Sequence, residues 1–513
     1  MSKIGIDLGT TYSCIAYLDE NGKPVISPDS DDNVNTPSVI LFHDDGTIVV
    51  GTEAKETGPM FDSECLIESI KRQIGTDYQI TFNGKTYDPT SLSALILKKL
   101  LDDYETRHGE RPKEAVITCP AYFKNNERMA TKEAGILAGL EKVTLINEPT
   151  AAAVCFGFGQ EEDCHKRILI YDLGGGTFDV TILQIDGREF NVIATDGERK
   201  LGGKDWDKCI INLVLNKINQ IAGINVAVMN KNRDLISRLT NDAENIKKRL
   251  TNKKSANTTT IYKGMKYRYT ITREEFEDAT RHLMMETIDV IDRTLKSKEI
   301  TADMIDEIVL VGGSSLMPQV ANTIREMYPN NVVSIYDPHE SIAKGAAIYS
   351  GSLEKYEEEK KKAESKETVK KQTEEQPLPE KIAKIPDMKM TDVLSSSFGV
   401  VAKVCGQDMI SNIIFKNNPL PITEKRTYYL LEDEQAELEV NVYESSAEDD
   451  KSGRNIPLDE GVKFGSFVMN LPLGVTRETP VEITFNATKE GILTATAECN
   501  GITCTCNMER SLN

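Results

Sequence analysis

Two stretches of the chain are near copies of each other. IGIDLGTTYSCIAYL runs from Ile4 to Leu18, and IYDLGGGTFDVTIL runs from Ile170 to Leu183. Each reads as an apolar strand, an aspartate, a Gly/Thr turn and a second apolar strand. A single glycine-rich turn is most simply a tight β-hairpin. Two matching Asp–Gly–Thr hairpins, each opening an α/β half, imply a duplicated fold in which two related lobes clamp one ligand, one hairpin from each side. Phosphate suits such a clamp, because it needs convergent N–H donors with no side chain in the way, and glycine-rich turns supply them. Asp7 and Asp172 begin the two turns at strand ends, where a carboxylate can hold a hydrated divalent cation beside phosphates. The hydroxyls of Thr10, Thr11 and Thr177 can donate to phosphate oxygens or orient a water.

The remaining pattern divides the chain, whose 513 residues argue for two to four domains. Strand-like runs at Glu114–Thr118, Arg167–Tyr171 and Glu307–Val311 alternate with helical runs at Leu92–Tyr104 and Asp234–Leu250, an α/β pattern. From Glu354 to Glu375, 15 of 22 residues are Lys or Glu. That stretch lacks an apolar face, and pairs such as Glu357–Lys361 and Glu358–Lys362 support a solvated helix. QPLPEKIAKIPDM then adds three prolines, a linker-like composition. After Met390 the runs are short, β-branched and separated by turn signals, which predicts an all-β module. The expected division is 1–351, a spacer and linker over 352–389, and 390–513.

A net charge of −20 repels phosphate backbones and anionic lipid, so neither nucleic acid nor a membrane is an expected partner. No apolar run approaches the ~18 residues that span a bilayer. The start, MSKIGID, enters a strand pattern directly, with no secretory signal. Ten cysteines then read as free thiols in a reducing compartment, which predicts the cytoplasm.

The motifs GIDLGTTYSC, IKRQIG, VITCPAYF, NEPTAAA, YDLGGGTFDVTIL, LGGKDWD and IVLVGGSS, in this order and spacing, closely resemble those of the seventy-kilodalton heat-shock chaperones of the DnaK type. The resemblance is dense from Met1 to about Gly351 and loose from Met390 onward. The short stretch between IKRQIG and VITCPAYF is similar to the compact form found in Gram-positive bacteria. The resemblance implies an α/β actin-like two-lobe ATPase domain followed by an all-β sandwich that binds extended peptides. The chain ends about where the family's helical lid would start, so no lid is expected. It also implies an ATP-dependent molecular chaperone of the stress response, with slow ATP hydrolysis controlling the binding of unfolded or extended polypeptides. J-domain co-chaperones and a nucleotide exchange factor are the implied further partners.

Residue roles follow from the same resemblance. Lys71 matches the lysine near the γ-phosphate, Glu148 and Asp172 the groups that orient the attacking water, and Thr177 the hydroxyl beside it. Asp7, Asp172 and Asp179 match an acidic ring that holds Mg²⁺ through waters, with K⁺ nearby. So many carboxylates together would be costly without a cation. Gly9, Thr10, Thr11, Tyr12, Gly174, Gly175 and Gly176 match the two phosphate hairpins. Gly202, Gly203, Gly312, Gly313 and Ser314 match turns near phosphate and ribose. Glu244, Lys247, Lys248, Thr251 and Leu316 match the nucleoside side. In the β-module, Val400, Tyr428 and Leu438 fall around the peptide pocket, with Lys403 and Leu431 at the arch over it.

The departures fall elsewhere than on the phosphate side. Lys248 and Leu316 stand where the family usually has two arginines against the base, and His339 where it usually has aspartate. Lysine stacks poorly compared with planar guanidinium, so ATP affinity is expected to be weaker with the chemistry retained. The linker DMKMTDV, Asp387–Val393, carries Lys389 and two methionines in place of leucines. Less apolar burial predicts weaker docking of that strand. Thr144 replaces an arginine that bacterial members use in J-domain contact, while Asn147 is kept. These changes support an alternative: a nucleotide-binding regulatory or adaptor protein of the same family, with weak ATPase and weak interdomain coupling.

Overall fold

Two sheets of the same connectivity form the first two-thirds of the molecule. The computed structural model describes residues 4–62, 64–158, 164–368, 388–448 and 450–507. In the first lobe the strand order is Lys142–Asn147, Glu114–Cys119, Ile4–Asp7, Tyr12–Leu18, Pro24–Ser27. In the second it is Val332–Ile335, Glu307–Val311, His165–Leu173, Phe178–Asp186, Glu189–Glu198, with Lys389–Thr391 added at the edge. Each lobe thus has an antiparallel hairpin whose first strand also pairs in parallel with a later strand. The repeat holds at residue level: Asp7 lies opposite Cys14 in one hairpin, and Asp172 lies opposite Asp179 in the other.

The sheet strands read as near-continuous apolar runs because both faces are covered. Ile168, Leu169, Ile170 and Tyr171 are all buried, as are Val309, Leu310 and Val311 beside them. Helix Gly203–Ala222 buries Trp206, Ile210, Val214 and Ile218, four-residue spacing that lays one stripe on the second sheet's core. Helix Arg233–Asn252 is capped by the Asn232 side chain, which accepts from Leu235 N at 2.9 Å. It buries Leu235, Leu239, Ala243, Ile246 and Leu250, which turns its charged face, with Glu244 and Lys248, toward the cleft.

Helix Ser341–Thr368 runs unbroken through residue 351 into the charged stretch, so secondary structure does not break at the expected domain limit. The proline-containing spacer, 369–387, lies outside the described residues. The linker strand Lys389–Thr391 is docked as the sixth strand of the second lobe's sheet, in parallel register with Glu189, Phe190 and Asn191. Weaker docking was the expectation from its methionines. Here Met388 and Met390 pack against the buried clusters that contain Ile185, Phe190 and Ala343, and so supply the apolar contact. Asp392 follows at once and is half-buried, accepting from Asn147 Nδ2 at 2.7 Å and Thr150 Oγ1 at 3.3 Å.

The β-module is a sandwich. One sheet orders Asn455–Pro457, Gln407–Ile414, Ser397–Val404, Glu437–Ser445, Gly461–Asn470; the other orders Ile422–Tyr429, Pro480–Ala487, Leu493–Cys499, Ile502–Asn507. Its core holds Phe398, Val400, Val442, Phe485 and Ala497. The module rests on both lobes. On the first, Leu493 N donates to Asn125 Oδ1 at 2.9 Å, and Lys132 and Lys124 pair with Glu490 at 2.7 Å and Glu444 at 2.6 Å. On the second, Thr195 N donates to Asn417 Oδ1 at 3.1 Å and Lys416 pairs with Asp196 at 3.2 Å.

Candidate functional site

Between the lobes lies a cavity of about 700 Å³, a size suited to a small organic ligand. The two hairpins meet at its floor. A Cβ on Gly175 would fall 2.0 Å from Thr11 Oγ1, and one on Gly176 2.4 Å from Thr10 Cγ2, so only glycine allows the turns to approach this closely. Gly312 closes the floor from a third side, with φ +80° and a virtual Cβ 2.4 Å from Asp172 Oδ1. The start of helix Gly203–Ala222 is fixed to the second hairpin, since Gly203 N and Lys204 N donate to the carbonyls of Gly174 at 3.0 Å and Gly175 at 2.9 Å.

The acidic residues converge beneath these turns. Asp7, Asp172, Glu148 and Lys71 all line the cavity; Asp172, Glu148 and Lys71 are buried and Asp7 is half-buried. Lys71 Nζ donates to the Glu148 carboxylate. Burial works against the lysine's charge, but Glu148 and Asp7 outweigh it and hold its pKa above the usual value. Burial, followed by the Glu148 charge, pushes Asp7 up to about 7. Burial, Glu148 and the neighbouring aspartates also push Asp172 and Asp179 well above the usual carboxylate range. Asp172 and Asp179 sit directly across the hairpin, and like charges opposed in this way repel. Asp179 does not line the cavity; it lies just behind, with Oδ1 accepting from Ala121 N at 3.0 Å and Oδ2 without a hydrogen-bond partner. A buried, orphaned carboxylate oxygen in a cluster of raised carboxylates fits a cation. Among the described residues no three ligands converge for direct coordination, so the fit is to an ion held through its waters.

The other expected positions divide clearly. Gly9, Thr10, Thr11, Tyr12, Gly174, Gly175, Thr177, Glu244, Lys247, Lys248, Thr251, Gly312, Gly313, Ser314 and Leu316 line the cavity. Gly176, Gly202 and Gly203 stand behind that lining, in the packing between hairpin and helix. Lys248 is not poised to stack on a base, because it pairs with Glu244 at 2.8 Å and lies over the Tyr12 ring at 5.0 Å. Lys55, which the sequence reading passed over, joins it by donating to Glu244 at 2.6 Å and to Tyr12 Oη at 2.7 Å. Burial opposes the Glu244 charge, but Lys55 and Lys248 prevail and bring its pKa down to about 2. A tyrosine, two lysines and a glutamate thus tie the lobes together over the cavity. His339 packs against Gly313 at the cavity wall, and burial and Lys248 lower its pKa.

In the β-module, Val400 is buried in the core, and Tyr428 and Leu438 pack against the same core. Tyr428 Oη lies 3.1 Å from Ser411 Oγ. Lys403 is paired to Asp408 at 2.9 Å at the tip of its hairpin, and Leu431 is 58% exposed beyond the strand Ile422–Tyr429. Three of the five expected peptide residues therefore share one core, and two face outward.

Comparison with known proteins gives a consistent result. The family model described as "Hsp70 protein" matches residues 3–81 and 77–362. The chain is 35% identical to the "Chaperone protein DnaK" of Thermotoga petrophila over 96% of its length and 78% of the relative's. It is 35% identical to that of Thermosipho africanus, covering 96% and 77%, and 34% identical to that of Thermosipho melanesiensis, covering 96% and 78%.

Proposed function

This chain belongs to the Hsp70 family, and from that premise we propose how its residues perform the work of a DnaK-type chaperone. It is an ATP-dependent molecular chaperone that hydrolyses ATP. The observation that carries the residue-level reading is the cleft itself: two glycine hairpins in contact, with the Lys71–Glu148 pair between them.

Phosphoryl transfer to water depends on positioning and charge neutralisation more than on covalent help from the protein. The backbone N–H groups of Thr10 and Thr11 and of Gly175 to Thr177 cradle the phosphates, while those of Gly9 and Gly174 hold the turns by donating to Ser13 Oγ and the Thr177 carbonyl. Lys71 places its ammonium on the charge that develops at the γ-phosphate. Glu148 and Asp172 orient the attacking water, and the Thr177 hydroxyl holds the same oxygen network. Asp7, Asp172 and Asp179 would hold hydrated Mg²⁺, with K⁺ beside it, which neutralises phosphate charge. Gly312, Gly313 and Ser314 lie against the sugar, and Thr251, Lys247 and Leu316 face the nucleoside.

The proposed units are a nucleotide-binding part over 1–351, a spacer and linker over 352–389 and a substrate part over 390–513. The last takes unfolded or extended polypeptides, with Val400, Tyr428 and Leu438 beneath the peptide and Lys403 and Leu431 over it. J-domain co-chaperones and an exchange factor would act on the first, the former less strongly with Thr144 in place of arginine. The ten free thiols suit a reducing compartment, the cytoplasm.

The test is ATP turnover with and without an unfolded peptide. Turnover stimulated by peptide is the expected result. Slow turnover blind to peptide would favour the adaptor reading instead. A second prediction concerns the base side. Leu316→Arg is expected to tighten ATP binding about 2- to 30-fold, the worth of one cation on an aromatic ring, roughly 0.5–2 kcal/mol. Calorimetry with unchanged or weaker affinity would show a pocket built around the leucine.

A further inference from the structure

Lys204 is the one cation of LGGKDWD, and the roles proposed for the cleft give it no task. It begins helix Gly203–Ala222, and its N–H is held by the Gly175 carbonyl at 2.9 Å, so its backbone is anchored to the second phosphate hairpin. Its side chain points into the cavity wall, 21% exposed, toward Glu68 of the first lobe. The two charges stand 4.0 Å apart.

Neighbouring cations are engaged far more closely. Lys247 pairs with Asp207 at 2.8 Å and donates to the Gly203 carbonyl at 2.9 Å. Arg72 pairs with Asp205 at 2.7 Å and donates to the Gly176 carbonyl at 2.9 Å. Lys71 is closed on Glu148. Lys204 alone of these four holds its carboxylate loosely, and burial disfavours its charge, so its pKa lies below the usual value despite Glu68 and Asp207. A desolvated, loosely held ammonium beside a phosphate hairpin gains most from a new anion, because charge-assisted hydrogen bonds are the strong ones.

We propose that Lys204 binds the phosphate chain of the nucleotide, leaving Glu68 for a phosphate oxygen when the ligand enters. The inference rests on the reading of this cleft as the ATP site. It adds a charge-reading residue on the second lobe, and makes Glu68 its competitor for that ligand.

The experiment measures Kd by calorimetry for ATP, ADP and adenosine with the full chain and its variants. Lys204→Met is expected to weaken ATP and ADP about 10-fold or more, the scale of a lost hydrogen bond to a charged group, with adenosine unchanged. Lys204→Arg should keep most of the ATP affinity. Glu68→Gln should tighten ATP by freeing the ammonium. Equal losses for ATP and adenosine in Lys204→Met would mean that the lysine only supports the fold, and would overturn the proposal. So would unchanged ATP affinity in Lys204→Met, or weaker ATP binding in Glu68→Gln. A wild-type chain that binds ATP yet ignores these substitutions refutes the Lys204 proposal alone. One that binds no nucleotide refutes the cleft reading with it.

Discussion

Lys71→Ala is expected to lower ATP turnover about 10²- to 10³-fold, the scale seen when one preorganised charge-stabilising group is removed from an active site, while ATP binding stays measurable. The reason is where the ammonium sits. It is buried, closed on Glu148, and it is the cation that offsets the charges of Asp7, Asp172 and Asp179. On the proposed reading of the cleft, the glycine hairpins and the nucleoside contacts carry much of the ground-state binding. In the transition state, charge gathers on the transferred group and its neighbours, and a lysine held ready contributes more there than before. Single-turnover kinetics and calorimetry separate the two effects. Lys71→Met, which keeps most of the volume, should behave alike. Hydrolysis at the wild-type rate in both variants would remove Lys71 from the chemistry.

Asp392→Ala is expected to uncouple the β-module from the nucleotide. Asp392 is half-buried, and the buried Asn147 and Thr150 donate to its carboxylate through Nδ2 and Oγ1. Truncation strands those donors at a cost of about 2–4 kcal/mol in the docked arrangement only. The docked population should therefore fall about 30- to 1,000-fold relative to the undocked one. The readout is stopped-flow release of a fluorescent apolar peptide with ATP and with ADP. In the wild type the two rates should differ; in Asp392→Ala the difference should collapse, with ATP affinity little altered. A variant that keeps the full difference would show that Glu490, Asn417 and the linker strand suffice without Asp392. Equal rates already in the wild type would instead return weight to the adaptor reading.

The duplication was legible in the sequence because everything that defines it is local. Six residues lie between Asp7 and Cys14 and between Asp172 and Asp179, and the Gly/Thr turns within them admit few conformations. The carboxylate cluster and Lys71 were likewise within reach, since each belongs to a motif with its own spacing. What escaped depends on pairs brought together from far apart. Lys55 looks like any solvated lysine until Tyr12 and Glu244 close on it from two lobes. Lys248 carries the right charge for a base partner, yet its i,i+4 neighbour Glu244 claims it. The docked module rests on single polar groups far apart in sequence, such as Asn125 with Leu493 and Asn417 with Thr195, which no periodicity marks. The linker strand shows what its composition left open, where it docks: at the edge of the second lobe's sheet, with Met388 and Met390 against buried clusters, where a flexible side chain fills irregular gaps.

Cys14 sets the two hairpins apart. It occupies the place that Asp179 holds in the other lobe, and burial keeps its thiol well above the usual cysteine pKa, hence neutral. A scaffold with a true two-fold axis would meet a linear phosphate chain with identical halves, and either end could lie on either side. One neutral thiol in place of one carboxylate breaks that equivalence. The molecule is symmetric as architecture and polar as an electrostatic object. For the phosphate chain proposed to lie here, that difference gives the two ends unequal surroundings and so a preferred direction.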